Sequence, residues 1–298
     1  IETRSFNFFR TVCCHFGRCY RFDHLLHDSW LFPQWKDALK LICIAFFLIF
    51  FENRSFMNII SLVPSITETL FDFGLTDHEV IGRTKFCIHP KELVKNVEII
   101  GGTKNLNISK IKSLSPDLII ANKEENDKAQ VEELMKDFKI WVTDIETLED
   151  NQNFLTKLGI LLNKEEIAQN FNQKINSIFN VKKISDPIKV AYLIWKNPYM
   201  TVGSDTFIHE IIEKLGFENL FKNEKRYPEI SLDQMQEAGF IFLSTEPFPF
   251  QQKHVEELQN ELPGKKIIVV DGEAFSWYGT HLAKCSEYLQ TLFSGNFQ

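Results

Sequence analysis

The stretch Phe86-Cys87-Ile88-His89-Pro90 sets a thiol and an imidazole two residues apart, donors able to ligate a metal ion or the metal of a chelate. Two ligands on one loop do not complete a metal site, and the plainer alternative is a buried Cys beside a surface His. Phe86, Cys87 and His89 are therefore candidate ligand contacts, and no metal centre is assigned. Aromatic side chains recur farther along: Trp195 and Tyr199 flank Pro198, and Trp277 precedes Tyr278. Flat apolar walls suit a large planar ligand, although packing between elements accounts for most aromatics. Glu246 and the Asp271-Gly272-Glu273 stretch add carboxylates that can accept hydrogen bonds from amides or hold a cation. Asp271-Gly272 also fits an ordinary turn. P-loop, G-x-S-x-G and H-E-x-x-H patterns are missing, so no residue takes a catalytic role and no catalytic cofactor is expected.

The 298-residue chain is 44% hydrophobic and 24% charged, a globular composition. Its formal charge of −7 argues against a duplex nucleic-acid partner, which requires a dense set of Lys and Arg. Cys13, Cys14, Cys19 and Cys43 crowd the first fifth, leaving Cys87 and Cys285 in the body. That is no disulfide framework, and it leaves the redox compartment open.

Residues 1–56 differ from the rest. They hold eleven of the 28 Phe without clear periodicity. The apolar run Leu41–Phe51 is shorter than the roughly 20 residues of a membrane-spanning helix. Lys36 and Lys40 precede it as in a signal peptide, but no small-x-small cleavage pattern follows. The segment reads as translated upstream sequence, with Met57 as the start, or as a degenerate export signal or anchor. The Cys13-Cys14-x4-Cys19 spacing lacks the C-x2-C pairs of zinc sites.

From Met57 the elements that must position the candidate residues appear. Asn58–Val63 reads as a strand and Ser65–Phe73 as a helix, with Ser65 or Thr67 as N-cap. Val80–Gly82, Asp117–Ala121 and Ile140–Thr143 read as strands, Ile108–Leu114 and Lys128–Phe138 as helices. Residues 148–182 form one long helical stretch, with a candidate break at Asn163-Lys164. Strands at Ile188–Trp195, Phe240–Ser244 and Ile267–Val270 then alternate with helices at Asp205–Leu215, Gln251–Glu261 and His281–Phe293. This grammar predicts two α/β lobes with parallel sheets, residues 57–147 and 183–298, joined by a connecting helix over 148–182 and divided by a ligand cleft.

At this level the chain resembles the helical-backbone, or class III, solute-binding proteins of ABC transporters, which include cobalamin and ferric-siderophore receptors. The resemblance rests on Ile59-Ile60-Ser61-Leu62-Val63-Pro64-Ser65-Ile66-Thr67-Glu68, on Gly82-x-Thr84-x-x-Cys87-x-x-Pro90, and on Gly101-Gly102. Leu114-Ser115-Pro116-Asp117-Leu118-Ile119-Ile120 and Gly216-Phe217-Glu218-Asn219-Leu220-Phe221 extend it, so it runs from about Met57 to Phe293. It implies two Rossmann-like lobes, limited closure, and capture of a cobalamin-like corrinoid or an iron chelate (siderophore or haem) without chemistry. The implied site comprises Phe86, Cys87, His89, Trp195, Tyr199, Glu246, Glu273, Trp277 and Tyr278.

The resemblance further implies a monomer in the periplasm or cell envelope that docks on a permease through one acidic residue per lobe. Asp233 keeps that residue in the second lobe; Ser109 replaces it in the first. Thr103 and Asn122 stand where the cobalamin pocket carries tryptophans. A cytoplasmic corrinoid or metal-chelate sensor, should translation start at Met57, is the alternative function, and a chelatase-like enzyme the third.

Overall fold

The computed structural model describes residues 57–179 and 186–293. The 1–56 extension, with its cysteine cluster and the Leu41–Phe51 run, lies outside the described residues. Among the described residues no helix is long and apolar enough to cross a membrane.

The first lobe opens with β1 (Ile59–Ser61), all three residues buried. Pro64 starts α1 (Pro64–Asp72), because its fixed φ suits the first helical position and its missing N–H would be unpaired there anyway. Val63, extended at φ −134° and ψ 134°, is therefore the N-cap in place of the expected Ser65 or Thr67. Thr67 instead turns its hydroxyl back toward the strand, 2.8 Å from Ser61 Oγ and 2.9 Å from the Val63 carbonyl. There follow β2 (Val80–Arg83), α2 (Lys91–Val94), β3 (Glu98–Ile99), the hairpin β4 (Gly101–Gly102) and β5 (Asn105–Leu106), α3 (Ile108–Leu114), β6 (Leu118–Asn122), α4 (Lys128–Leu134) and β7 (Ile140–Thr143). A parallel sheet results, ordered β3-β2-β1-β6-β7.

Instead of one continuous connecting helix there is a pair, α5 (Leu148–Leu162) and α6 (Glu165–Phe179). Asn163 adopts the left-handed conformation at φ 54°, which ends α5 and turns the chain back. The antiparallel pairing shows in Asn172, which donates to Thr156 Oγ1 at 3.2 Å, and in the bond between Gln152 and Asn176. Phe171 stacks on Phe73 of the first lobe, ring centroids 6.2 Å apart.

The second lobe repeats the pattern with β8 (Lys189–Leu193), α7 (Phe207–Lys214), β9 (Glu218–Asn219), a 3-10 turn at Asp233–Glu237, β10 (Phe240–Ser244), α8 (Gln252–Glu261) and β11 (Lys266–Val270). Its parallel sheet runs β11-β10-β8-β9. Alternate residues go to opposite faces, as the period of a strand demands. Val190, Tyr192, Phe240 and Phe242 join the main core, while Ala191, Leu193, Ile241 and Leu243 build a second one on the other face. Each fully buried large side chain here contributes about 1.5–3 kcal/mol.

The chain then crosses back. After α9 (Gly272–Ser276), α10 (His281–Lys284) packs on both α6 and α1, and α11 (Ser286–Phe293) packs on α6. The single helix expected over 281–293 is interrupted at Cys285, where φ −84° and ψ 8° leave the helical region.

Candidate functional site

Both sheets reverse their direction of strand addition at a central strand, β1 in one and β8 in the other. Open parallel sheets bind ligands beyond the carboxyl ends of such strands. The loops at those ends carry the candidate residues.

After β2 the loop sends alternate side chains in opposite directions. Phe86 and Ile88 are exposed by 51% and 52%, whereas Cys87 is fully buried. The Cys87 sulfur lies 3.2 Å from Thr84 Oγ1, and burial pushes its thiol up. His89 stays accessible, so the structure does not bring the thiol and the imidazole together. No group of His, Cys, Asp and Glu among the described residues is arranged to hold a metal ion.

The loop after β6 starts at Asn122, where the resemblance puts a pocket tryptophan, but its Glu124, Glu125 and Asn126 are not among the candidate site residues of the sequence. Asn122 Oδ1 accepts from the backbone N–H groups of Glu124 and Glu125 at 2.9 and 3.1 Å. Asn126 Oδ1 accepts from Asn122 N at 2.9 Å, and its Nδ2 lies 3.2 and 3.1 Å from the carbonyls of Leu62 and Thr103. These two buried amides hold the loop in one shape and bring Glu124 to the second lobe. Asn126→Ala should cost about 2–3 kcal/mol, since it strips partners from buried backbone groups. Amide exchange over residues 122–127 should rise sharply, and unchanged protection would contradict this role.

From the second lobe, Glu246 follows β10 and receives a hydrogen bond from Ser276 of α9. Burial raises its carboxyl above the ordinary range, against the opposing bonds of Ser276 and Trp277. Asp271 caps α9, accepting from Glu273 N at 3.1 Å. Trp277 and Tyr278 follow that helix and are almost fully buried. Trp195, 41% exposed, meets Phe248 edge-on at 5.6 Å, and Tyr199 packs on the outer core of its lobe, so neither joins Trp277.

Two contacts join strand-end loops of the two lobes. His89 Nε2 lies 3.8 Å from Glu273 Oε2, and its ring meets Trp277 edge-on at 5.7 Å. Elsewhere Glu124 receives Arg226 Nη2 at 3.1 Å together with the Tyr227 hydroxyl. Burial still pushes the Glu124 carboxyl up, with Arg226 opposing. Sequence patterning missed this clasp. Position at a strand's carboxyl end could have flagged Glu124, but Arg226 and Tyr227 lie in an irregular stretch with no periodic signal.

Two parallel-sheet lobes that confront each other through strand-end loops, tied by a helical pair, define a bilobal binding protein. Residues 59–248 match the periplasmic binding protein family, to which the chain belongs. The vitamin B12-binding protein of Vibrio campbellii is 27% identical over 207 residues, which are 66% of this chain and 74% of that protein. In fold, the chain is similar to the periplasmic vitamin B12 binding protein of Vibrio cholerae, with TM-score 0.66, 21% identity, and 80% and 96% of the two chains covered. A periplasmic haem-binding protein from Pseudomonas aeruginosa gives TM-score 0.67 at 18% identity, covering 81% of this chain and 94% of its own.

Proposed function

We propose that this protein is the solute-binding component of an ABC transporter and captures a cobalamin-like corrinoid or an iron chelate between its lobes, without transforming it. The observation that carries this reading is Trp277, held at the carboxyl end of the second sheet between His89 of the opposite lobe and His281, ring centroids 5.7 and 5.0 Å away. A large flat ligand needs such an aromatic wall and few polar contacts. Phe86 and Ile88 offer apolar surface on the first lobe, and His89 offers a nitrogen to a chelated metal. The names of the relatives, binders of vitamin B12 and haem, point the same way. Entry requires the His89–Glu273 and Glu124–Arg226 contacts to part, which makes modest hinge opening part of the cycle.

Asp233 is exposed at the start of its 3-10 turn and is the proposed docking carboxylate for the permease; Ser109, also exposed, offers no charge on the first lobe. The proposed setting is the periplasm or cell envelope, with the protein acting as a monomer.

A visible-light titration with cyanocobalamin, dicyanocobinamide, haemin and a ferric tris-catecholate tests the reading. At least one should give a saturable spectral change, and Trp277→Ala should weaken its binding about thirtyfold, the scale of a buried aromatic anchor. A melting curve of the variant guards against mere unfolding. Silence across the panel would sink the assignment, and conversion of a bound chelate would move the protein to the enzymes.

A further inference from the structure

Glu124 and Arg226 are each fixed by their own lobe before they meet. Both backbone polar groups of Glu124 are taken: its N–H donates to Asn122 Oδ1 at 2.9 Å, and its carbonyl accepts from Lys104 Nζ at 2.6 Å. Those of Arg226 are taken too. Its N–H donates to Asp205 Oδ1 at 2.6 Å, and its carbonyl accepts from Gly203 N at 2.7 Å. Arg226 moreover stands at φ 58°, in the left-handed region that disfavours any residue with a Cβ. Such backbone strain persists where the surroundings enforce it, and it collects where a side chain has a task.

That side chain crosses to the other lobe. Its guanidinium lies over the Tyr227 ring, 5.5 Å from the centroid, and donates to the same Glu124 oxygen as the Tyr227 hydroxyl. A carboxylate shared by two donors holds better than a single surface ion pair. The other contact between the loops is looser, because His89 Nε2 and Glu273 Oε2 are 3.8 Å apart, beyond hydrogen-bond distance.

We propose that Glu124, Arg226 and Tyr227 form an electrostatic latch that holds the lobes together in the protein alone and limits how fast a chelate enters. Its bonds exist only when the lobes are closed, so they bias the closed–open equilibrium toward the closed side. A ligand that needs the open arrangement then sees only the open fraction. The latch itself is independent of what the cleft binds; its effect on entry rests on the function proposed above.

The test reads inter-lobe distances in the full chain without ligand, by pulsed electron spin resonance. Spin labels are carried on ketone-bearing residues substituted for Lys136 and Lys253, which are exposed on opposite lobes. Arg226→Ala should raise the open-to-closed ratio about fivefold, and Tyr227→Phe about twofold. The charge-exchanged pair Glu124→Arg, Arg226→Glu should return the ratio to within about twofold of the native protein, whereas either exchange alone should open it. If these variants do not fold, 1 M KCl, which shortens the screening length to about 3 Å, should open the native protein. An unchanged distribution in Arg226→Ala, or an exchanged pair no more closed than the single exchanges, overturns the latch.

Entry is read from the association rate of cyanocobalamin, dicyanocobinamide, haemin or a ferric tris-catecholate, whichever binds. The rate should rise about threefold in Arg226→Ala, and a rate equal to or below the native one overturns the effect on entry. If none of the four binds, chelate capture falls and the effect on entry with it, while the distances still decide the latch.

Discussion

Gly279→Ala should destabilise the body of the protein by about 2–4 kcal/mol, the sum of a left-handed backbone penalty and an overpacked contact. Gly279 sits at φ +81°, and a Cβ there would lie 2.1 Å from Thr69 Oγ1. Thr69 cannot yield freely, since its hydroxyl lies 2.8 Å from the Ser65 carbonyl and accepts from Thr280 N at 3.1 Å. Asn151 of α5 also brackets the glycine, accepting from its N–H and donating toward its carbonyl at 3.4 Å. The crossing from the second lobe to the first is thus clamped by two elements at one residue. For a domain of this size the melting temperature should fall by about 5–12 °C. Gly264→Ala is the control, because Gly264 has φ +82° but a methyl group added there would meet nothing within 4 Å. It should show the backbone penalty alone, about 1–2 kcal/mol. Equal losses in the two variants would mean that the Thr69 contact contributes nothing.

His281 should make stability fall as the pH rises. Its Nδ1 lies 2.7 Å from Glu68 Oε2, and Lys284 Nζ is 2.9 Å from the other Glu68 oxygen and 2.7 Å from Asp72 Oδ2. Burial opposes charge on His281, but the neighbouring Cys285 and Glu68 outweigh it and hold the imidazole up at about 10. Glu68 is likewise pushed up by burial, and its bonds to His281 and Lys284 outweigh that and hold it below the ordinary value. The signs follow from linkage. A group raised on folding contributes fully below its unfolded value of about 6.5 and loses that contribution as the pH climbs toward about 10. A lowered carboxyl contributes above its unfolded value of about 4.3 and loses that contribution in acid. Stability from the cluster should therefore be greatest between those two values, declining on the alkaline side over the imidazole's range. Glu273, which also feels the His281 charge, faces the same groove and must be counted when the profile is read. His281→Ala should cost about 2–4 kcal/mol near pH 6, because Glu68 stays buried with only Lys284 to pair it. The variant's loss should shrink above pH 9. A loss of equal size at pH 6 and pH 9.5 would show that His281 acts through packing alone.

Some elements are legible in the sequence at their observed bounds. Helix α3 is legible at Ile108–Leu114 because Asn107 caps its start, accepting from Lys110 N at 3.0 Å, and Ser115 ends it at φ 47° before Pro116. Strands β7 and β10 are equally clear, as continuous apolar runs of strand length. The two-residue strands β3, β4, β5 and β9 leave no trace, because a strand that short exists through its partner and has no period of its own. Within the site, the loops carrying Phe86–His89, Glu246 and Glu273–Tyr278 are legible as strand ends. Glu124 and Glu125 are not, since a charged run beside Lys123 looks like an ordinary solvated loop.

The sequence by itself determined the class of fold and the alternation of strands and helices, because burial periodicity and turn chemistry are local properties written residue by residue, and the resemblance of its ordered motifs pointed to the family. Only the tertiary structure decided that Cys87 turns inward while His89 reaches across, that α5 and α6 fold back on each other, and that Glu124 meets Arg226 and Tyr227. It alone decided that the segment Gly279–Lys284 returns to α1. These are contacts between residues up to some two hundred positions apart, and no local pattern encodes which distant side chain will lie opposite. That choice is made when two sheets and a helical pair pack into one body and their strand-end loops are brought face to face.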